Sequence, residues 1–168
     1  MSTLRLTLIR HAKTEQAHAG QEDWDRQLEA RGQRDAAEMG QRLKGRKLKP
    51  DRLLVSPAVR ALTTAQILVR EMGLPAQKLS QDERLYLASP KHLLQVIHEL
   101  GDRTRHLAIV GHNPGISEFA DRIAADRPMD NMPTAAVFTL EFEIAKWDEL
   151  AWRSGINAQF DYPANPCG

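Results

Sequence analysis

The sequence Leu6-Thr7-Leu8-Ile9-Arg10-His11-Ala12-Lys13-Thr14 joins an apolar run to basic side chains with nothing between them. Residues 6–9 are apolar or β-branched, which predicts a short buried strand. The guanidinium of Arg10 and the imidazole of His11 follow at the point where this strand ends. Because ligands of open α/β sheets bind at the carboxyl ends of the strands, the stretch predicts a parallel sheet with a ligand site at this edge.

A second strand is predicted for residues 53–55, Leu-Leu-Val. It is followed at once by Ser56 and Pro57, the residue types that favour the N-cap and the first position of a helix. Arg60 then falls in the first turn of that helix. The positive end of a helix dipole disfavours a cation by about 0.3–1 kcal/mol, so Arg60 is better explained by an anion that binds beside it.

A strand is also predicted for residues 106–110, whose continuous apolar run indicates burial on both faces. It leads directly into His112 and Asn113, and the sequence predicts Asn113 as the cap of the next helix. Polar groups therefore follow three strands at the same relative position.

The rest of the chain supplies the other elements of an α/β fold. The pattern predicts a helix over 28–43, a third strand within 78–87, a helix from Ser89-Pro90 to Gly101, and strands 135–142 and 150–153 joined by a turn at 146–149. This order predicts a three-layer α/β/α sandwich with a mostly parallel central sheet and a C-terminal antiparallel hairpin. We expect residues 1–168 to form a single domain.

Composition excludes several classes of protein. The 23 Lys and Arg residues balance 22 Asp and Glu residues, and a net charge of +1 gives no general attraction to nucleic acid or to an anionic membrane. We find neither a signal peptide nor an apolar run of the ~20 residues that a membrane span needs, so we expect a cytoplasmic protein. The single cysteine, Cys167, has no partner for an internal disulfide.

The carboxyl ends of parallel strands lie on one edge of the sheet, so the sequence predicts that Arg10, His11, Arg60 and His112 meet there. Each of the four taken alone also fits an ordinary role, as a solvated charge or as a hydrogen-bonded histidine at a strand end. Their coincidence at three strand ends favours one shared anion site.

A phosphoryl group fits this set of side chains. Its transfer requires cations that hold the phosphoryl oxygens, and the planar fork of arginine does so at any working pH. A histidine attacks phosphorus through a neutral ring nitrogen while a hydrogen bond holds the other nitrogen. We therefore predict His11 as the nucleophile and His112, if protonated, as a further cation. Thr14 and Lys13 either contact the phosphate or belong to the loop.

No cofactor is expected. No pair of His, Cys or acidic residues has the spacing of metal ligands, and the Gly-Lys-Ser or Gly-Lys-Thr sequence of a P-loop does not occur. Ser56 is interpreted as a helix cap rather than as a nucleophile, because no histidine lies near it in the sequence.

These motifs resemble those of the histidine phosphatase superfamily, the phosphoglycerate mutase-like enzymes. Residues 10–14 resemble its Arg-His-Gly signature, with Ala12 in place of glycine. Residues 56–65 resemble its Ser-Pro-x-x-Arg-Ala-x-x-Thr-Ala segment, and residues 111–113 resemble its second-histidine motif. The resemblance implies a phosphoglycerate mutase-like fold, a phosphohistidine intermediate on His11, and a phosphate pocket made by Arg10, Arg60 and His112.

Within that superfamily the chain is similar to the small SixA-type phosphohistidine phosphatases, and one departure from the larger relatives bears on the substrate. Phosphomonoesterases and mutases of the superfamily carry an acidic proton donor two residues past a leucine. Counted from Leu85, this position is Leu87, while Asp82 and Glu83 lie nearby but out of register. An alkoxide leaving group is strongly basic and must be protonated as it departs, since even water has a pKa of about 15.7. Imidazole leaves more easily, because its conjugate acid has a pKa of about 6.5.

Three hypotheses follow. The first is a phosphatase that acts on phosphohistidine in a carrier or phosphotransfer protein. The second is a small-molecule phosphomonoesterase that uses Asp82 or Glu83 as its acid. The third is a non-catalytic module that binds phosphorylated partners, which the intact His11 disfavours because binding alone needs no nucleophile.

Overall fold

Six strands and four helices make up the described part of the chain, residues 2–101 and 103–166, in a computed structural model. In chain order they are β1 (Leu4–Arg10), α1 (Ala30–Gly45), β2 (Arg52–Val55), α2 (Val59–Met72), β3 (Leu79–Gln81), α3 (Pro90–His98), β4 (His106–Gly111), α4 (Gly115–Ile123), β5 (Val137–Phe142) and β6 (Ile156–Asp161).

The strands form one sheet in the order β3-β2-β4-β1-β5-β6. The four strands from β3 to β1 are parallel to one another, whereas β5 is antiparallel to both β1 and β6. The predicted mostly parallel sheet with a C-terminal antiparallel hairpin is therefore confirmed.

Helices cover both faces of the sheet. Along β1, Leu6 and Leu8 pack into a core that includes residues of α3 and α4, and Ile9 packs into a second core with residues of α1 and α2. Strand β4 divides in the same way, since Ile109 joins the first core and Val110 the second. Side chains of successive strand residues point to opposite faces, so these continuous apolar runs fit strands that are buried on both sides.

The register of the central strands brings three strand ends side by side. Arg10 at the end of β1 lies opposite Gly111 at the end of β4, and Val55 at the end of β2 lies opposite Val110. The His11 amide extends the ladder by donating to the Gly111 carbonyl at 3.1 Å. The residues that follow β1, β2 and β4 therefore start from one edge of the sheet.

The partner strand of β5 is not the predicted 150–153 but β6, residues 156–161. Residues 153–155 instead donate backbone hydrogen bonds to the carbonyls of Arg122 and Ile123 at the end of α4. Leu150 is buried, and its apolar character reflects this packing rather than a strand. In β6 the half-buried residues alternate with more exposed ones, which is the pattern of a strand with one covered face.

Two predicted helix caps are also wrong. Helix α2 begins at Val59 with Ala58 at the N-cap, and the Ser56 hydroxyl shares a 2.8 Å hydrogen bond with His112 Nε2. Pro114 precedes α4, and Asn113 accepts a hydrogen bond from the Ser117 hydroxyl. The Ser56 side chain thus bonds a residue that follows β4, while the Asn113 side chain bonds Ser117 within α4 and donates to Asn131 in the loop after it.

The structure confirms the predicted cap of the third helix but shortens the predicted third strand. The cap at Ser89 is confirmed, because its hydroxyl accepts a hydrogen bond from the His92 amide at the start of α3. The third strand is shorter than predicted: β3 has three residues and is followed by a 3₁₀ turn at Glu83–Leu85. Among the described residues, no helix has the length and apolar character that a membrane span requires. Cys167 lies outside the described residues.

Candidate active site

A cavity of about 470 Å³ opens at the carboxyl edge of the sheet, where β1, β2 and β4 end. It is lined by Arg10, His11, Lys13, Thr14, Asp23, Arg26, Arg60, Leu87, His112, Asn113 and Thr134. The structure thus brings together Arg10, His11, Thr14, Arg60 and His112, the residues singled out in the sequence, at the predicted edge.

The hydrogen bonding of His11 fixes its tautomer. His11 is buried, and its Nδ1 lies 2.8 Å from the carbonyl oxygen of Ala12. A carbonyl only accepts, so Nδ1 carries the proton and Nε2 keeps its lone pair. The Ala12 amide in turn donates to the Thr64 hydroxyl at 3.0 Å, which holds this part of the backbone against α2. His11 therefore has the form that a nucleophilic histidine needs.

The charge state of His11 agrees with its tautomer. Burial is the largest cause that lowers its pKa from 6.5 to about 4, and the positive charges of Arg60, Arg10 and Arg26 act in the same direction. The ring is therefore neutral at neutral pH, with a free lone pair on Nε2.

The pKa of His112 is lowered as well. Burial, followed by the charge of Arg60, lowers its pKa to about 3. Its ring centroid is 5.4 Å from that of His11, and its Nε2 bonds the Ser56 hydroxyl. His112 is therefore neutral at neutral pH beside these cations alone, whereas a bound anion would raise its pKa towards the protonated form predicted from the sequence.

Two buried nitrogen atoms at the cavity have no hydrogen-bond partner within the described part of the chain: Arg10 Nε and His112 Nδ1. Buried polar atoms are nearly always hydrogen-bonded, so each such atom calls for an explanation. Arg10 also donates from Nη1 to the Met132 carbonyl at 2.9 Å, which anchors its guanidinium beside the cavity. Both unpartnered atoms belong to cavity side chains, which fits a site that receives a hydrogen-bonding ligand.

The two candidate proton donors do not reach the cavity. The Asp82 carboxylate bonds the Arg84 guanidinium at 2.8 Å and the Arg84 amide at 3.0 Å, which ties it to the 3₁₀ turn that follows β3. Glu83 is exposed on that turn. Leu87 lies at the cavity instead, with 55% of its surface exposed and a φ of +50°. The structure therefore places a leucine where an acid was sought.

Asp23 and Arg26 were missed by the sequence reasoning, which assigned neither residue a role. Arg26 donates to the Thr14 hydroxyl at 2.6 Å and to the Asp23 carboxylate at 3.2 Å. Thr14 pairs with Leu28 in an isolated β-bridge, which brings the loop back to the end of β1. No local pattern marks such residues, because their place in the site depends on contacts between distant segments.

Gly32 allows the helix that follows the loop to approach the site. A Cβ at this position would lie 2.1 Å from the carbonyl oxygen of Lys13, closer than real atoms come. The same carbonyl accepts the Glu29 amide at 3.0 Å, just before α1. The close packing of α1 on the Lys13 backbone therefore sets the position of Lys13 and Thr14 beside His11.

The charges at the cavity suit an oxyanion. Its positive side chains are Arg10, Lys13, Arg26 and Arg60, and Asp23 carries the one carboxylate among the described lining residues. A nucleophilic nitrogen and several guanidiniums are what transfer of a phosphoryl group requires. No group of three or more His, Cys, Asp or Glu side chains within residues 2–101 and 103–166 is arranged to hold a metal ion.

The lowered histidine pKa values predict a specific dependence of stability on pH. His11, His106 and His112 have pKa values of about 4, 4 and 3 in the folded protein, against 6.5 for an unperturbed histidine. Between these limits the unfolded chain binds more protons than the folded protein, so the free energy of unfolding rises with pH. The folded protein therefore becomes less stable as pH falls from 6.5 towards 4. For each histidine, the change in the free energy of unfolding is at most about 1.4 kcal/mol for each pKa unit by which the folded and unfolded values differ.

Urea denaturation at about pH 5 and about pH 8 measures this effect. A single substitution, His106→Gln, is expected to reduce the pH dependence without touching the cavity. A free energy of unfolding that stays constant or rises on acidification would contradict the prediction.

Comparison with known proteins agrees with the geometry. Residues 6–86 match the histidine phosphatase superfamily (branch 1). An uncharacterised protein of Mycobacterium tuberculosis is 33% identical over 141 residues, which cover 79% of this chain and 85% of that protein. A SixA protein of Agrobacterium tumefaciens, a candidate phosphohistidine phosphatase, is 25% identical, with a TM-score of 0.75 and coverage of 93% of this chain and 97% of that one.

A SixA structure from Nakamurella multipartitia shares the fold, with a TM-score of 0.79, 23% identity and coverage of 98% and 99% of the two chains. The superfamily match and the SixA neighbours support a phosphatase activity. The chain belongs to the histidine phosphatase superfamily, branch 1, and within it is similar to the SixA type.

Proposed function

We propose that this protein is a phosphohistidine phosphatase that acts on a carrier or phosphotransfer protein, as one domain, through a phosphoenzyme intermediate on His11. The observation that carries the proposal is the neutral His11 ring, whose Nδ1 donates to the Ala12 carbonyl and whose Nε2 is free among guanidiniums. The SixA relatives support the choice of substrate.

The reaction proceeds in two displacements. In the first, the Nε2 lone pair of His11 attacks phosphorus, the nitrogen–phosphorus bond of the substrate breaks, and the substrate ring, protonated on its other nitrogen, leaves with the bonding pair as neutral imidazole. In the second, water attacks the phosphoenzyme, the bond to Nε2 breaks and its electron pair returns to the neutral His11 ring, and both protons of the water leave with the product as dihydrogen phosphate. Arg10 and Arg60 stabilise the charge on the phosphoryl oxygens in both steps. The Thr14 hydroxyl accepts from Arg26 and keeps its own proton to donate to the phosphoryl group.

The acid–base character of the cavity favours a nitrogen leaving group. Asp23 is the one carboxylate among its described lining residues, and the hydrogen bond from the Tyr86 hydroxyl is the first cause that lowers its pKa to about 2. An acid that is ionised at neutral pH has no proton to give to a departing alkoxide. Imidazole departs without that help more readily than an alkoxide does, because its conjugate acid has a pKa of about 6.5.

The proposal is tested by offering two substrates to the purified protein. One is a histidine-containing carrier protein phosphorylated on its histidine, and the other is a sugar phosphate. We expect phosphate release from the carrier at the higher kcat/KM, and acid-labile phosphate on the enzyme after rapid quenching. A preference for the sugar phosphate would favour the phosphomonoesterase hypothesis. Phosphate binding without a phosphoenzyme and without turnover would favour the binding module.

Leu87 gives a further prediction about specificity. Replacing it with glutamate places a carboxyl group at the cavity mouth, and general acids typically contribute 10²–10⁴-fold to such reactions. We expect the Leu87→Glu variant to gain roughly 10-fold or more in kcat on an alkyl phosphate. The gain should appear below the pKa of the new carboxyl group, where it is protonated.

The matched control is Leu87→Gln, which has a similar size and no ionisable proton. It is expected to leave the alkyl phosphatase rate unchanged. An equal gain in both variants would show that the loss of the apolar side chain, and not proton donation, is responsible.

A further inference from the structure

We propose that Asp23 is a positioning residue for phosphoryl transfer, which holds the guanidinium of Arg60 in the orientation that receives the phosphoryl oxygens. The proposal rests on the proposed function, because it assigns Arg60 to the phosphoryl group. It gives a specific task to a loop residue that none of the sequence motifs contains.

Asp23 contacts both terminal nitrogens of Arg60. Arg60 Nη1 donates to the Asp23 backbone carbonyl at 2.8 Å, and Arg60 Nη2 donates to the Asp23 carboxylate at 2.9 Å. Arg60 is buried, with 3% of its surface exposed. Two contacts from one residue fix both the position of the guanidinium and the rotation of its plane.

Asp23 is itself held from two sides. The Tyr86 hydroxyl donates at 2.5 Å to the carboxylate oxygen that also accepts from Arg60, and Arg26 donates to the second carboxylate oxygen at 3.2 Å. The ring of Tyr86 packs on Trp24, the next residue of the loop, with 4.7 Å between ring centroids. The loop carrying Asp23 is therefore fixed to the segment after β3, and Arg60 is fixed to the loop.

The contact leaves Arg60 free to bind a ligand. A guanidinium has five N–H donors, and Asp23 accepts two of them. The remaining three are enough for a two-point interaction with phosphoryl oxygens, which is the arrangement that arginine favours with phosphate. The carboxylate stays ionised over the working pH range, because the Tyr86 hydroxyl and the Arg60 guanidinium lower its pKa to about 2.

Asp25 provides a matched control. It lies in the same 3₁₀ turn, Asp23–Asp25, and its exposed side chain has the same charge. The Asp23→Ala and Asp25→Ala variants therefore remove the same group two residues apart. Asp23→Asn keeps an oxygen that accepts from Arg60 and Tyr86 while it removes the charge.

The experiment measures kcat and KM on the phosphorylated carrier and the affinity for inorganic phosphate by calorimetry. We expect Asp23→Ala to lower kcat roughly 100-fold, as small displacements of catalytic groups do, and to weaken phosphate binding. Asp23→Asn should recover part of both losses, and Asp25→Ala should match the wild type. If Asp23→Ala does not fold, Asp23→Asn still decides, because it is expected to reduce kcat relative to Asp25→Ala.

Equal behaviour of the Asp23 and Asp25 variants would overturn the proposal. Tighter phosphate binding by Asp23→Ala would also overturn it, because the carboxylate would then compete with phosphate for Arg60 instead of positioning it. A wild-type protein that binds phosphate but releases none from the carrier would refute the proposed function. In that case the phosphate affinities of the variants still decide whether Asp23 positions Arg60.

Discussion

The His11→Ala variant is expected to lose turnover by roughly 10⁴-fold or more, in line with the effect of removing the nucleophile from other covalent catalysts. The reason is that the free Nε2 of His11 supplies the electron pair for the first displacement, and the substitution leaves no other nitrogen in its place. The variant should also carry no acid-labile phosphate after rapid quenching. Rapid-quench labelling with a phosphorylated carrier, followed by peptide mapping, measures both results.

His92→Ala is a suitable control, since His92 is exposed at the start of α3 and lies outside the cavity. It should keep wild-type rates. Acid-labile phosphate that persists in His11→Ala would move the covalent intermediate to another residue, and His112 would be the first to map.

The second large effect is expected from Arg60→Lys, which keeps the positive charge and removes the planar fork. An ammonium is a point charge and reproduces neither the paired contacts to Asp23 nor a two-point interaction with phosphoryl oxygens. Loss of one oriented donor at an active site typically costs 10²–10³-fold in kcat. We expect a decrease of about this size on the phosphorylated carrier, measured by steady-state phosphate release.

Arg70→Lys is the matched control, because Arg70 lies on the same helix, α2, with its side chain exposed and paired to Glu71. It should retain the wild-type kcat. Near wild-type turnover in Arg60→Lys would show that the charge alone matters and that the geometry of the fork does not.

Much of the fold is visible in local patterns. The mainly apolar residues 6–9 and 106–110 each lie within a strand, since burial on both faces favours apolar side chains at successive positions. The hairpin partner was misplaced because its strand, β6, is mainly half-buried and polar at alternate positions. Leu150 has the stronger apolar signal but packs in the core without a strand. Pairing with β5, and not local propensity, decides which segment becomes the strand.

The candidate site, like the fold, could be predicted only in part from the sequence. Arg10, His11 and His112 could be found because each lies at or directly after the end of a strand, and parallel strands end on one edge. Asp23 could not, since it contacts Arg60 across 37 residues of chain. The lowered pKa of His112 was equally hidden, because it results first from burial that only the folded chain shows. Sequence patterns thus located the residues on the strands, while the loop and the charge states required the tertiary structure.

The strand order has a consequence for how this enzyme is made. Strands β1 and β2 are not neighbours, and β4 lies between them. During synthesis, a nascent chain that ends before residue 106 contains His11 and Arg60 but lacks the strand that separates and aligns them. The cluster of His11, Arg60 and His112 can therefore form only after the segment that ends in His112 has been synthesised.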